Sequence, residues 1–327
     1  LALIIGGTVQ AQDFDPCFGL SADDCAVINE ASANGIGDAE SFTMDMTIDF
    51  AATGLEAVGA MAGSMTGDPS AAEGVPGEIT FGFDTSMDFA MSEGSMLGVY
   101  MNGTMTISFS VDGEGEEQAV DVMIVDDILY MNVNDGSGWM SIDLVRVMTD
   151  EDLNAQFGEL MGDGDPADMM SDMGVDPAAL GVLFGILNLD GFLTYERAGD
   201  DFVFTVDFSV LQTLLDEENE ELLDEIIATV SEVDPMMALS VTLVPALITD
   251  GYITITQSVD TDANIVTGIL VESELELALD EDAPTSTDLV VDINLGNLDG
   301  VEMVDAPEEA TDITDLVIGA AASGMGQ

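Results

Sequence analysis

The stretch Ser41-Phe42-Thr43-Met44-Asp45-Met46-Thr47-Ile48-Asp49-Phe50 alternates strictly between polar and apolar residues. A period of two that persists over this length predicts a β-strand with one buried face and one solvated face. The apolar positions carry Phe, Met and Ile, which are large enough to line a core or a pocket. This stretch therefore predicts a large sheet with one apolar face.

The same alternation returns along most of the chain. It predicts further strands at 79–83, 87–91, 99–111, 120–125, 129–133, 140–144, 192–196, 202–208, 252–260, 265–279 and 288–295. Turn residues separate several of them, as at Gly113-Glu114-Gly115 and Asp126-Asp127. Strands joined by short turns indicate an antiparallel meander.

Two regions change to a helical period. Apolar residues fall on one helix face within Thr149–Asn188 and again within Val210–Val233. Strands that alternate with such segregated helices predict an α+β fold, a large antiparallel sheet with helices covering one face.

The first residues have the pattern of an export signal. Leu1–Gly7 is apolar, and Val9-Gln10-Ala11 has the small residues of a cleavage site. Residues 1–11 are therefore predicted to be a truncated signal-peptide remnant, the alternative being a buried first strand. An extracytoplasmic location follows, whether secreted, periplasmic or at the cell surface.

The two cysteines of the chain, Cys17 and Cys25, lie close together after this segment. An even pair in an exported protein is most simply a disulfide, here one that staples the N-terminal segment 12–36. A single domain is predicted over 37–306, followed by a flexible tail over 307–327.

The charge balance excludes several classes of function. The chain has 66 Asp and Glu, 2 Lys and Arg and no His, a net charge of −64, yet it is 47% hydrophobic. Binding to nucleic acid or to an anionic membrane surface requires basic groups that are absent. A His-dependent triad, a His metal site and a Walker lysine are excluded too. Paired-carboxylate catalysis of the glycosidase type stays open, but no pair of carboxylates stands out, so we expect no enzyme, no metal and no cofactor. Two explanations of the charge stay open: adaptation to high salt, or an acidic secreted protein kept soluble despite its apolar content.

The order of elements resembles the LolA/LppX-like extracytoplasmic lipid carriers. The similarity rests on Phe42–Phe50, on Ile128–Asn132 followed by Gly138–Leu144, and on the closing run Val304–Ala310. This resemblance implies an open antiparallel half-barrel closed by helices, with a cavity for a hydrophobic ligand between sheet and helices. The chain departs from the lipoprotein members because Cys17 lacks a small-residue context, and from basic members by its charge.

The candidate ligand-binding residues lie on the apolar positions of the first strands. They are Met44, Met46, Phe81, Phe83, Met105, Ile107 and Phe109. Met side chains adapt to varied apolar ligands, and the chain has 21 of them. The alternative is an ordinary core packed by helices. Acidic clusters such as Asp260, Asp262 and Asn264 are interpreted as solvated turns, and Arg146 and Arg197 as partners of carboxylates.

Two functions remain. The first is an exported carrier for a lipid or another hydrophobic small molecule. The second is a structural or interaction protein of the cell surface, with a filled core and no ligand. For that second function, a hairpin edge such as Tyr252–Leu279 would support strand addition.

Overall fold

The alternating stretch forms β1, Ser41–Thr53, at the centre of a sheet. The structure, a computed structural model, describes residues 20–37, 39–57, 75–92, 95–134, 136–150, 192–212, 247–278 and 285–324. The other strands are β2 (Glu78–Met91), β3 (Val99–Val111), β4 (Glu114–Val125), β5 (Ile128–Asn132), β6 (Met140–Asp143), β7 (Leu193–Ala198), β8 (Asp201–Asp207), β9 (Ile248–Asp260), β10 (Ile265–Leu277), β11 (Thr285–Gly296) and β12 (Thr311–Asp312). The helices are α1 (Ala22–Asn34), α2 (Leu144–Thr149), α3 (Ser209–Gln212) and α4 (Thr314–Gly324).

The described strands form one 12-stranded sheet in the order β12-β6-β5-β4-β3-β2-β1-β11-β10-β9-β8-β7. Neighbours are antiparallel throughout except for the parallel pair of β12 and β6. Among the described residues no pairing joins the outermost strands β12 and β7, so the sheet is open. The predicted α+β class with a large, open antiparallel sheet is confirmed.

Tight turns set the register of the meander from β3 to β5. Asp112 and Gly113 have φ angles of 52° and 78°, and Asp126 and Asp127 have 51° and 65°. Two consecutive positive φ angles are typical of the two-residue hairpin turn that matches strand twist. The first turn therefore comes earlier than Gly113-Glu114-Gly115, and Glu114 already begins β4.

The hairpin of β9 and β10 lies inside the sheet. β9 also pairs with β8, and β10 also pairs with β11. The prediction of an exposed hairpin edge at Tyr252–Leu279 is wrong, because both outer sides are occupied by strands from elsewhere in the chain. The alternation of a strand does not indicate whether it has one neighbour or two.

Helix α1 begins at an N-cap, where the Ser21 side chain accepts a hydrogen bond from the Asp24 backbone N–H at 3.1 Å. Its apolar side packs on the sheet. Ile28 and Ala31 are buried there against Phe202 and Val259. This cluster covers one end of the sheet, at β8 to β10.

The chain runs from β11, near the middle of the sheet, to the edge beside β6 through an irregular segment, 297–310. On the way, the Asp299 backbone N–H donates to the Ser41 carbonyl at 2.9 Å, and the Val304 N–H donates to the Tyr100 hydroxyl at 2.9 Å. β12 and α4 then follow within 307–327, where the sequence predicted a flexible tail. They are held because buried Thr314 accepts from the Asp143 N–H at 2.9 Å and donates to Asp312 at 2.6 Å.

Part of the predicted helical content cannot be compared. Residues 151–191 and 213–246, which include most of both predicted helical regions, lie outside the described residues. Among the described residues, no helix combines the length and the apolar character that crossing a membrane would require.

Candidate functional site

The sheet has two chemically distinct faces. Residues opposite one another in an antiparallel ladder project from the same side, so the register between strands sorts the side chains. On one side Phe42 lies opposite Phe89, with their rings stacked at 5.0 Å between centroids. The positions in between, such as Thr43 and Asp88, project from the other side. We call the first side the apolar face and the second the polar face.

All seven predicted site residues lie on the apolar face of β1, β2 and β3. Met46 lies opposite Thr85, which lies opposite Met105. Phe83 faces Ile107, and Phe81 faces Phe109. Met44 lies opposite Met87. Alternation alone was sufficient to place these residues on one side.

The apolar face extends well beyond the predicted residues. Its further members on the strands beyond β1 are Leu289, Val291, Ile293 and Leu295 on β11, Ile269 and Val271 on β10, and Ile253 and Ile255 on β9. The sequence shows each of these strands but not that they are adjacent, so it could not predict the continuity of the face.

On β2 and β3 the apolar face is most buried in the middle, at Thr85 and Met87, and becomes more exposed toward both ends, one of which is the end at the β3–β4 turn. Met87 is 7% exposed, whereas Phe81, Ile107 and Phe109 are 36%, 42% and 50% exposed. We call Phe81, Ile107 and Phe109 the open patch. Contiguous exposed apolar side chains commonly mark a ligand or partner site.

One buried polar atom lies on this face. Thr85 is 7% exposed, and its Oγ1 has no hydrogen-bond partner among the described residues. Leaving a buried hydroxyl unsatisfied costs free energy. The sequence analysis missed Thr85, because the alternation of β2 places a polar residue at an apolar position there.

The far end of the same face is closed by α1. Arg197 lies over the Phe202 ring at 5.1 Å from the centroid and donates to Asp24 Oδ1 at 2.8 Å. Burial raises the pKa of Tyr195, whose ring contacts Phe202 and Phe204 edge-on. The open patch on β2 and β3 and the closed end at β7 to β10 therefore lie on separate parts of one apolar surface.

A free stretch of β4 borders the open patch. β5 pairs only with Asp121–Val125, so 114–120 has no strand on its outer side among the described residues. Glu116 lies opposite Phe109 and Gln118 opposite Ile107, which places both on the apolar face. Glu117 lies opposite Ser108 and projects from the polar face. All three side chains are exposed.

The polar face is held by hydroxyl–carboxylate pairs between strands. Thr43 donates to Asp88 at 2.6 Å, Ser86 to Asp45 at 2.5 Å and Thr104 to Asp121 at 2.8 Å. Ser and Thr hydroxyls thus take the cross-strand positions that cations often hold.

The other described residues that the sequence singled out, the arginines, the acidic turns and Cys25, take part in contacts that stabilise the fold. Arg146 on α2 pairs with Asp312 at 3.9 Å and with Asp315, as the sequence predicted for a lone cation. Asp260 accepts from the backbone N–H groups of Asp262 and Ala263, both at 2.9 Å, which is an ordinary turn. In the parts of the chain that the structure describes, no acidic or Cys group is arranged to hold a metal ion. Cys25 is buried on α1, but Cys17 lies outside the described residues, so their disulfide stays a prediction.

Comparison with solved structures shows a distant similarity to a crystallised protein. The crystal structure of LprF from Mycobacterium bovis matches with a TM-score of 0.31 and 14% sequence identity, over 88% of this chain and 98% of that one. No family model and no curated protein matches the chain.

Proposed function

We propose that this protein is an exported carrier that binds a lipid or another hydrophobic molecule on the apolar face of its sheet. The observation that carries the proposal is the open patch, where two Phe and one Ile stay 36–50% exposed on a continuous apolar surface. An apolar ligand would remove this surface from water, at about 25 cal/mol per Å² buried. The role is one of binding rather than catalysis.

Two further observations support a ligand on this face. Met side chains at Met44, Met46 and Met105 can repack around acyl chains of different shape. The unpartnered Thr85 hydroxyl lies among them and is a group that a bound molecule or water could satisfy. The resemblance to the LolA/LppX-like carriers implies the same kind of ligand and an extracytoplasmic location.

The alternative of an interaction protein built on strand addition is disfavoured at the free stretch of β4. Glu114, Glu116 and Glu117 stand there, and charges on an unpaired edge are a common protection against strand addition. A second copy of this chain would bring further carboxylates against them.

The direct test is native mass spectrometry of the purified protein, followed by organic extraction. A carrier should release a co-purifying lipid on extraction, and the extracted protein should bind a fluorescent fatty acid or another apolar probe. Protein that releases nothing and binds no apolar probe would contradict the proposal.

Substitution of Met105 distinguishes a ligand space from a filled core. In a carrier, Met105→Trp should fill the ligand space. It should leave the melting temperature unchanged and abolish uptake of the probe. In a filled core the same change should overpack the site and cost about 1–3 kcal/mol. Met105→Asp should lose uptake and stability together, because it places a carboxylate on an apolar surface.

Thr106→Trp is the matched control, since Thr106 is the next residue of β3 and projects from the polar face opposite Asp84. It should leave uptake of the probe unchanged. Equal loss of uptake from Met105→Trp and Thr106→Trp would show that the apolar face is not the binding surface.

A further inference from the structure

We infer that the molecule bound on this face is an amphiphile with a cationic head group, seated where the open patch meets Glu116. The inference rests on the proposed function and adds the chemical class of the ligand.

The register aligns three Phe side chains with one carboxylate. Phe50 lies opposite Phe81, Phe81 opposite Phe109 and Phe109 opposite Glu116, on four consecutive strands. Directly opposed side chains in a ladder have Cβ atoms about 4.5–5.5 Å apart. Glu116 is thus an immediate neighbour of the most exposed ring of the patch.

Aromatic rings next to a carboxylate favour an ammonium group. The face of an aromatic ring attracts a cation electrostatically, and quaternary ammonium groups are commonly recognised in this way. The Glu116 carboxylate adds a negative charge that attracts the ammonium group at the same place. Glu114, which pairs with Val111 in the ladder, supplies a second carboxylate on the same face. An anionic head group would meet repulsion from both carboxylates.

No described cation offers a competing site on this part of the sheet. Arg197 is on β7 at the far edge and pairs with Asp24, and Arg146 is on α2 and pairs with Asp312 and Asp315. An acidic head group therefore finds no partner beside the open patch among the described residues.

The fall in exposure from Phe109 to the middle of β2 and β3 gives the orientation of the ligand. Phe109, beside the β3–β4 turn, is 50% exposed, whereas Thr85 and Met87, farther from this turn on β2, are each 7% exposed. From Phe109 to Met105 the strand advances about 13 Å at roughly 3.3 Å per residue. The head group then stays in water beside Glu116, and the apolar tail runs along β3 toward Met105.

The test compares three dodecyl probes by titration calorimetry below their micellar concentrations, at one ionic strength. The probes are dodecyltrimethylammonium, dodecanoate and the neutral dodecyl maltoside. We expect the cationic probe to bind more tightly than the neutral one, and the anionic probe to bind most weakly.

Variants separate local recognition from the attraction of the whole acidic chain. Glu116→Gln should lower the affinity for dodecyltrimethylammonium about two- to fivefold, the range of an exposed ion pair. The affinity for dodecyl maltoside should be unchanged. Phe109→Leu, which keeps an apolar side chain but removes the ring, should do the same. Glu117→Gln is the matched control, because it makes the same change of net charge on the polar face.

The outcomes distinguish failure of the proposed carrier function from failure of the cationic head group alone. If no probe binds, the proposed function and this inference both fail. If maltoside and ammonium bind equally, or if Glu116→Gln and Glu117→Gln weaken the cationic probe alike, the cationic head group is overturned and the carrier stands. Circular dichroism of each variant verifies that it is folded.

Discussion

At the scale of single residues, Thr85 is the clearest departure from an ordinary sheet. Its hydroxyl is buried between the apolar side chains of Met46 and Met105 without a partner among the described residues. Thr85→Val replaces the hydroxyl by a methyl group of similar size. We expect the free energy of unfolding of the ligand-free protein to rise by about 1 kcal/mol.

Thr47→Val is the control for this prediction, because Thr47 is on the same sheet but on the polar face. Its hydroxyl donates to Asp84 at 3.0 Å, so the substitution removes a hydrogen bond and should leave stability unchanged or lower. Denaturant unfolding of both variants measures the difference. A loss of stability in Thr85→Val would mean that the hydroxyl has a native partner.

The same residues show what the sequence could predict of the site. Strict alternation placed Met46, Phe81 and Phe109 on one side, since a period of two leaves no other arrangement in a strand. Thr85 and Glu116 could not be found this way. Each matters because of the residue opposite it, and the pairing of strands depends on turns and partners distant in sequence.

At the scale of elements, one carboxylate of α1, that of Asp24, adds an ion pair to the apolar packing of this helix on the sheet. The hydrogen bond from the Ser21 hydroxyl and that from Arg197 lower the pKa of Asp24. A carboxyl whose pKa is depressed on folding stabilises the protein above its ordinary pKa of about 3.9, and this contribution is lost as the pH falls through the depressed value.

Asp24→Asn should therefore lower the melting temperature at neutral pH, and the gap from the parent protein should shrink as the pH falls below about 4. Asp23→Asn is the matched control, because Asp23 is the exposed neighbour in the same first turn. Both variants lose one negative charge, so only the lost contacts separate them. Melting curves between neutral and acidic pH supply the measurement; a gap that persists at low pH would exclude the Asp24 carboxylate as its source.

Strand positions were largely predictable, whereas strand neighbours were not. The alternating stretches at 42–50, 99–111 and 252–260 correspond to β1, β3 and β9. The pairing of β1 with β11 joins residues about 250 apart in sequence, Thr43 with Gly296 for example. Local pattern carries no information about such a pair, and this is why β9 and β10 were wrongly expected at an edge.

At the scale of the whole molecule, the negative charge of the fold is almost unopposed by basic side chains. The chain has only two basic residues, and each joins two elements: Arg197 of β7 pairs with Asp24 of α1, and Arg146 of α2 pairs with Asp315 of α4. On the polar face, Thr and Ser hydroxyls bind carboxylates in place of cations. These hydrogen bonds orient the carboxylates but neutralise none of the net charge of −64.

Dissolved ions must then supply the screening, so stability should increase with salt. Compaction brings the carboxylates closer than in the unfolded chain, and the screening length falls from about 10 Å at 0.1 M salt to about 3 Å at 1 M. We expect the melting temperature to climb with NaCl and equally with KCl, because screening depends on ionic strength. The climb should flatten at about pH 3, where most carboxylates are protonated. A flat curve at neutral pH would remove adaptation to high salt as the explanation of the composition, and a response to only one of the two cations would point to specific sites instead of screening.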